Sequence, residues 1–173
     1  MSPPALTPAE VSSALRAAGA AIEAELTGLP PAVLAWHPAP GEWCVLETLG
    51  HVIEAESRGF AGRIRAILDH PGGEFQTWDQ AAVARARRDC DRTPAAVLGE
   101  FLELRAASVR LVAGLSAGDL PKGGRHPSVG HLEIADLLAE WVYHDRNHLR
   151  QLLANVQAYV WPHMGNAQKF SSA

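Results

Sequence analysis

The stretch LLAEWVYHDRNHLRQL, residues 137–152, decides how this chain is read. Its Leu137, Leu138, Trp141, His144, His148 and Leu152 recur every three or four residues, the period of an α-helix. His144 and His148 stand four apart, a little over one turn, so both imidazoles project from one face and can converge on one cation. With 8 histidines in 173 residues, chance alone gives about 0.4 such pairs. The pair therefore needs a third ligand and a scaffold.

Working outward, this helix is predicted to begin near Glu133 with Ile134 and to run through Val156 until Pro162 blocks it. Three more helices precede it. The first opens at Thr7-Pro8-Ala9-Glu10, a capping box with proline at the first helical position, and carries Val11, Leu15, Ala18, Ile22 and Leu26 before Gly28 and Pro30-Pro31 stop it. The second is expected from about Val45 to Asp69, ended by His70-Pro71-Gly72-Gly73. Thr93-Pro94 opens the third, with Val97, Phe101, Leu104, Ser108, Leu111 and Leu115 at helical spacing up to Gly118. No sustained alternating strand pattern is present.

Four amphipathic helices imply an all-α four-helix bundle, the simplest way to bury four apolar stripes in one core. About 20 residues separate the second and third helices, enough to cross the length of a bundle, so a long crossover is predicted there. A Gly/Pro-rich connection, GDLPKGGRHPSVGH at 118–131, precedes the fourth helix. One domain over 1–162 is expected, followed by a partly disordered polar tail at 163–173.

Composition narrows the function classes. The chain is 47% hydrophobic and carries a formal charge of −4, which gives no basic field for nucleic acid. The local cluster Arg85, Arg87 and Arg88 is read as a solvated face. No apolar run approaches the ~20 residues of a membrane span, and the N-terminus MSPPALTPAE lacks signal-peptide regions, so no membrane partner and a cytoplasmic location are expected. Cys44 and Cys90 have no metal-type spacing and suggest no disulfide framework.

His51, in GEWCVLETLGHVIEAE at 41–56, is the candidate third ligand. The apolar stripe of the second helix is Leu46, Leu49, Ile53, Phe60, Ile64 and Ile67, and His51 lies nearly opposite it. Around His51 stand Thr48, Ala55, Gly59, Gly62 and Ala66, small residues that would let a second helix approach. Periodicity alone leaves two readings open: a ligand on a second buried face, or a partly exposed histidine near a helix start.

Here the chain resembles the DinB-like metal-binding four-helix bundles, the DinB/YfiT superfamily, over nearly its whole length. The resemblance is carried by Trp36-His37-Pro38 with Gly41-Glu42-Trp43, by LGHVIEAE with His51, and by LLAEWVYHDRNHLRQL with His144 and His148. It implies that His51, His144 and His148 bind one divalent metal ion per chain, zinc or nickel first, with iron or manganese as alternatives. It also suggests a homodimer, for which no sequence feature identifies the contact. Where the family commonly has serine after the second tryptophan, this chain has Cys44, followed by Glu47. A thiol is a poorer cap, although a helix N-terminus favours thiolate and Glu47 opposes it; the favoured reading is a small buried residue.

Three neutral imidazoles leave a divalent charge uncompensated and a coordination position open, as catalytic sites do. Glu47, Glu54, Glu140 and Asp145 are candidates to accept the second ring N–H, each more readily read as a solvated carboxylate. His37, His70, His126, His131 and His163 are read as surface or capping residues, with His126 and His131 the ones placed to line a pocket. Trp36 and Trp43 could wall a cavity; Trp141 belongs to the core stripe. The resemblance implies a metal-dependent transferase that activates a low-molecular-weight thiol of the bacillithiol, mycothiol or glutathione type toward an electrophile. The alternatives are a metal-dependent hydrolase and a non-enzymatic, stress-linked metal-binding bundle. A zinc protease is disfavoured, because Asp145 stands where H-E-x-x-H would place its glutamate base.

Overall fold

The computed structural model describes residues 3–171, and its architecture follows from the helix signals. Helix α1 (Pro8–Gly28) starts as its capping box dictates: the Glu10 N–H donates to Thr7 Oγ1 at 3.3 Å, and the Thr7 N–H donates to Glu10 Oε2 at 2.8 Å. A short turn, α2 (Pro31–Leu34), follows. The predicted second helix is α3 (Val45–Glu54) and α4 (Ala61–Asp69), joined without a break in direction by a π-helical segment, Ala55–Phe60. Helix α5 (Gln80–Arg87) and a 3-10 turn, Asp89–Asp91, lie in the connection to α6 (Pro94–Ala113), which the Thr93 hydroxyl caps. Helix α7 (Ile134–Val160) is the long histidine-bearing one.

Two core clusters fix the topology. One joins Val11 and Leu15 at the start of α1 to Ile64 and Ile67 in α4, Val112 at the end of α6, and Ile134 to Trp141 at the start of α7. The other joins Ile22 and Leu26, Val45 to Ile53, Val97 to Phe101, and Leu152. Helices α1 and α7 therefore run one way, and α3–α4 and α6 the other. The connection at 70–93 must return the length of the bundle, the crossover its length predicts. Helix α1 packs on α6 and α7, and α3 packs on the same two, so α1 lies diagonally from α3 and α6 from α7.

Several expectations are corrected. The third helix stops at Ala113, not near Gly118. Its buried line is Val97, Phe101, Arg105, Ser108 and Val112, while Leu104 and Leu111 are only half-buried. The glycine-rich 118–131 connection contains a hairpin, β1 (Gly123–His126) and β2 (Gly130–Glu133), paired antiparallel with Gly123 opposite Glu133. Four-residue strands are too short to show alternation, and Gly124 is required because a Cβ there would meet the Phe75 ring at 2.5 Å. The tail is ordered as far as Ser171, through the 3-10 turns Trp161–His163 and Gly165–Ala167 and the short α8 (Gln168–Ser171). Residues 172–173 lie outside the described residues.

Cys44 and Cys90 form a disulfide, with Cα atoms 6.9 Å apart, contrary to the expectation of none. A separation of 46 residues carries no local signal; the crossover brings the two together. Arg87, expected in a solvated cluster, is 12% exposed and pairs with Glu54, Asp89 and Glu100, whereas Arg88 is exposed. No helix among the described residues is long and apolar enough to cross a membrane.

Candidate metal centre

Helices α3 and α7 pack against each other, and their contact brings His51, His144 and His148 together. One ring nitrogen from each falls within 4.8 Å of the others. His51 Nε2 faces His144 Nε2 at 3.2 Å, and the His148 ring centroid lies 4.6 Å from that of His51 and 4.3 Å from that of His144. Two imidazole nitrogens bound to one zinc-class ion at about 2.0–2.1 Å stand about 3.3 Å apart in tetrahedral geometry, so the observed separation suits a shared ion. His148 Nδ1 lies 2.9 Å from Gln151 Oε1, which leaves Nε2 for coordination.

The rings sit between aromatic walls. Trp43 lies 5.2 Å from His51, held because Asn155 Nδ2 donates to the Trp43 carbonyl at 2.8 Å. Phe60 meets His144 edge-on at 5.1 Å and stacks on Trp141, which is fully buried as a core residue. The face around His51 does admit other helices: α7 packs there through His144 and His148, and α5 lies beside Gly50 and Glu54. Farther along the same face the Trp78 indole covers Gly59, and a Cβ at Gly62 would overlap the Ser57 carbonyl within the π segment. A recess of about 10 Å³ beside His51 is lined by Gly50, Glu54, Trp78, Val83, Ala84 and Arg87. Trp78 also borders a larger cavity of about 340 Å³ with Arg58, Arg63 and Phe75.

Charge in this pocket is disfavoured. Burial, then His148 and His144, push His51 down to about 3. Burial and His144 also lower His148, against the Gln151 contact. Both shifts favour the neutral imidazole that a metal ligand must be. The unfolded imidazole titrates near 6.5, so between that value and about 3 the unfolded chain binds a proton that native His51 does not. Metal-free stability should then fall as pH drops through this window, by at most about 1.4 kcal/mol per pH unit. Denaturant titrations of chelated protein at pH 7 and pH 5 measure this loss, which should shrink in His51→Ala. A flat profile in the unsubstituted protein would contradict the lowered titration of His51.

Of the four carboxylates named as second-ring partners, three are engaged elsewhere or exposed. Glu47 pairs with His37 at 3.0 Å, Glu54 with Arg58 and Arg87, and Glu140 lies on the exposed face of α7. Asp145 is fully buried, not solvated: its Oδ2 accepts from Arg105 Nη1 at 2.6 Å. Its Oδ1 and His144 Nδ1 are both buried without hydrogen-bond partners and lie 4.0 Å apart. An ion held at His144 Nε2 would leave the ring proton on Nδ1, 4.0 Å from that carboxylate oxygen. Arg105 also holds Glu56 in the π segment, Nη2 to Oε2 at 2.8 Å, and donates to the Leu15 carbonyl. Burial raises Glu56 against the pull of Arg105. Sequence reasoning missed Glu56, Arg105, Gln151 and Trp78; only Gln151, three residues after His148, carried a local signal.

His126 and His131 sit on the hairpin and do not line the recess at His51, and His163 follows α7. His37 joins a different cluster, with Cys44, Glu47 and Cys90.

Fold and cluster together define a four-helix bundle with a candidate divalent-metal centre built from three imidazoles. The DinB superfamily model matches residues 14–152, and the chain belongs to that superfamily. Among solved structures it is similar to YfiT from Bacillus subtilis, with a TM-score of 0.81 over 93% of this chain and 94% of that one at 14% identity. YfiT is described as a probable metal-dependent hydrolase with an unusual four-helix bundle topology. It is also similar to TT2238, a four-helix bundle protein, with a TM-score of 0.62 over 86% of this chain and 99% of that one at 25% identity. No curated protein matches.

Proposed function

We propose that His51, His144 and His148 hold one divalent ion per chain, zinc or nickel, and that the protein uses it to transfer a low-molecular-weight thiol to an electrophile. The observation that carries this reading is the composition of the cluster: three imidazoles, with no carboxylate among them, whose nitrogens lie within 4.8 Å of one another. Such a donor set leaves the ion its full charge and an open position; when bound, the ion lowers the pKa of a ligated thiol or water. The chain supplies orientation and shelter. Gln151 fixes the His148 ring, Asp145 stands beside His144, and Trp43 and Phe60 keep the rings in apolar surroundings. The cavity bordered by Trp78 is the candidate seat of the electrophile, since the recess at His51 has room for little more than a water. A cytoplasmic location, where such thiols are abundant, belongs to the same proposal.

A second reading, hydrolysis by an activated water, is favoured by the description of YfiT. Asp145 would not serve as its base, because Arg105 already holds that carboxylate. The assay is metal-loaded protein with bacillithiol, mycothiol, glutathione, coenzyme A or cysteine and a haloalkyl or bimane electrophile. A thiol-dependent rate that falls to background in His144→Ala and after chelation is expected. No metal-dependent rate with any thiol would overturn the transferase reading. Metal-dependent turnover of an ester or amide without thiol would then establish the hydrolase, and silence in both assays a metal-binding bundle without catalysis.

A further inference from the structure

A second group of metal-ligating side chains lies at the N-terminal end of α3. Cys44 is its N-cap, Glu47 is in its first turn, Cys90 comes from the 3-10 turn that ends the crossover, and His37 from the loop after α2. One donor atom from each lies within 4.8 Å of the others. His37 Nε2 is 3.0 Å from Glu47 Oε2 and 3.7 Å from Cys90 Sγ. Around a tetrahedral zinc, with sulfur at about 2.3 Å and nitrogen or oxygen at about 2.0–2.1 Å, neighbouring ligand atoms stand about 3.3–3.8 Å apart. Both measured separations are near those edges.

We propose that, once the Cys44–Cys90 disulfide is reduced, Cys44, Cys90, His37 and Glu47 form a second site for a zinc-class divalent cation, independent of the three histidines. The donor set is two sulfurs, one nitrogen and one oxygen, which suits zinc and disfavours calcium or magnesium. Charge argues the same way. Two thiolates beside the Glu47 carboxylate repel one another unless a cation lies between them. The Glu47 N–H, which donates to Cys44 Sγ at 3.4 Å, would remain as a charge-assisted bond to the thiolate. His37 is about half exposed, so its ring can adjust while the buried Cys44 stays fixed.

The redox step balances simply. A dithiol reductant passes two electrons and two protons to the pair: the Cys44–Cys90 S–S bond breaks, two thiols form, and the reductant becomes a disulfide. Cation binding then releases both thiol protons to solvent. The cytoplasmic setting proposed above would hold the pair in its reduced, cation-binding form.

The test uses cobalt(II) as the probe and a trialkylphosphine as the reductant, which takes oxygen from water and leaves two thiols. In the His148→Ala protein, which lacks the first site, the reduced form should bind one cobalt per chain with a near-ultraviolet thiolate-to-cobalt charge-transfer band. The oxidised form should bind none there. Cys90→Ser should abolish the band, and His37→Ala should weaken binding at least about tenfold. Should His148→Ala fail to fold, unsubstituted protein serves: reduction should raise cobalt uptake by one equivalent, with the same band. Reduced protein that shows free thiols but no thiolate-to-cobalt band overturns the proposal, as does a band that survives Cys90→Ser. Neither result bears on the three-histidine site.

Discussion

Replacing His148 by alanine is expected to lower the affinity for a divalent transition metal by more than about a hundredfold. Loss of an outer-sphere partner alone typically costs 10–100-fold, and His148 would be one of only three direct ligands. His51→Ala and His144→Ala should match it, because each ring places one nitrogen within 4.8 Å of the other two. Competition against a chromophoric chelator, with oxidised protein to silence the cysteine cluster, measures the effect. Retained stoichiometric binding in all three variants would place the ion elsewhere. All three should nonetheless fold, since the apolar clusters at both ends of the bundle do not include these side chains.

The largest expected effect on stability comes from Arg105→Met. The guanidinium is 4% exposed and is the cation that faces both Glu56 and Asp145, which are 0% and 1% exposed. Removing one partner of a buried ion pair costs about 3–5 kcal/mol, because the carboxylates left behind are buried without compensation. For a chain of this size that corresponds to a fall in Tm of roughly 6–20 °C. Replacing Glu56 and Asp145 by leucine in the same protein should recover much of the loss, as apolar substitutes remove the desolvation cost. Thermal melts of the single and triple variants decide the matter, and a single variant melting within about 2 °C of the parent would contradict the buried network.

What the sequence disclosed, and what it withheld, divides along the range of the interactions. The four long helices were legible because their signals are local: the Thr7–Glu10 box, the Thr93-Pro94 start, and apolar residues at helical spacing. The crossover was legible from loop length. His144 and His148 declared themselves by lying one turn apart. His51 did not, since it projects away from the apolar stripe of its own helix toward a wall made by α7 and the Trp78 loop; only the family resemblance selected it. Arg105 was invisible for a similar reason. It occupies a core position between Phe101 and Ser108, and nothing local says that a charge there will find Glu56 and Asp145 from two other helices. The disulfide depends on chain segments brought together by the crossover, and the four-residue strands of the hairpin are too short to leave a periodic trace. The π segment carries Glu56 at the turn where α3 gives way to α4, so a local irregularity and the buried ion network arise at one place.

The proposed chemistry requires that three imidazoles from α3 and α7 share one metal ion. Anomalous scattering at the metal edge, from crystals of the oxidised, metal-loaded protein, tests it most directly. One dominant peak per chain is expected, about 2.0–2.1 Å from a ring nitrogen of each of His51, His144 and His148. An ion bound by other residues, with those three rings merely hydrogen-bonded to one another, would contradict it.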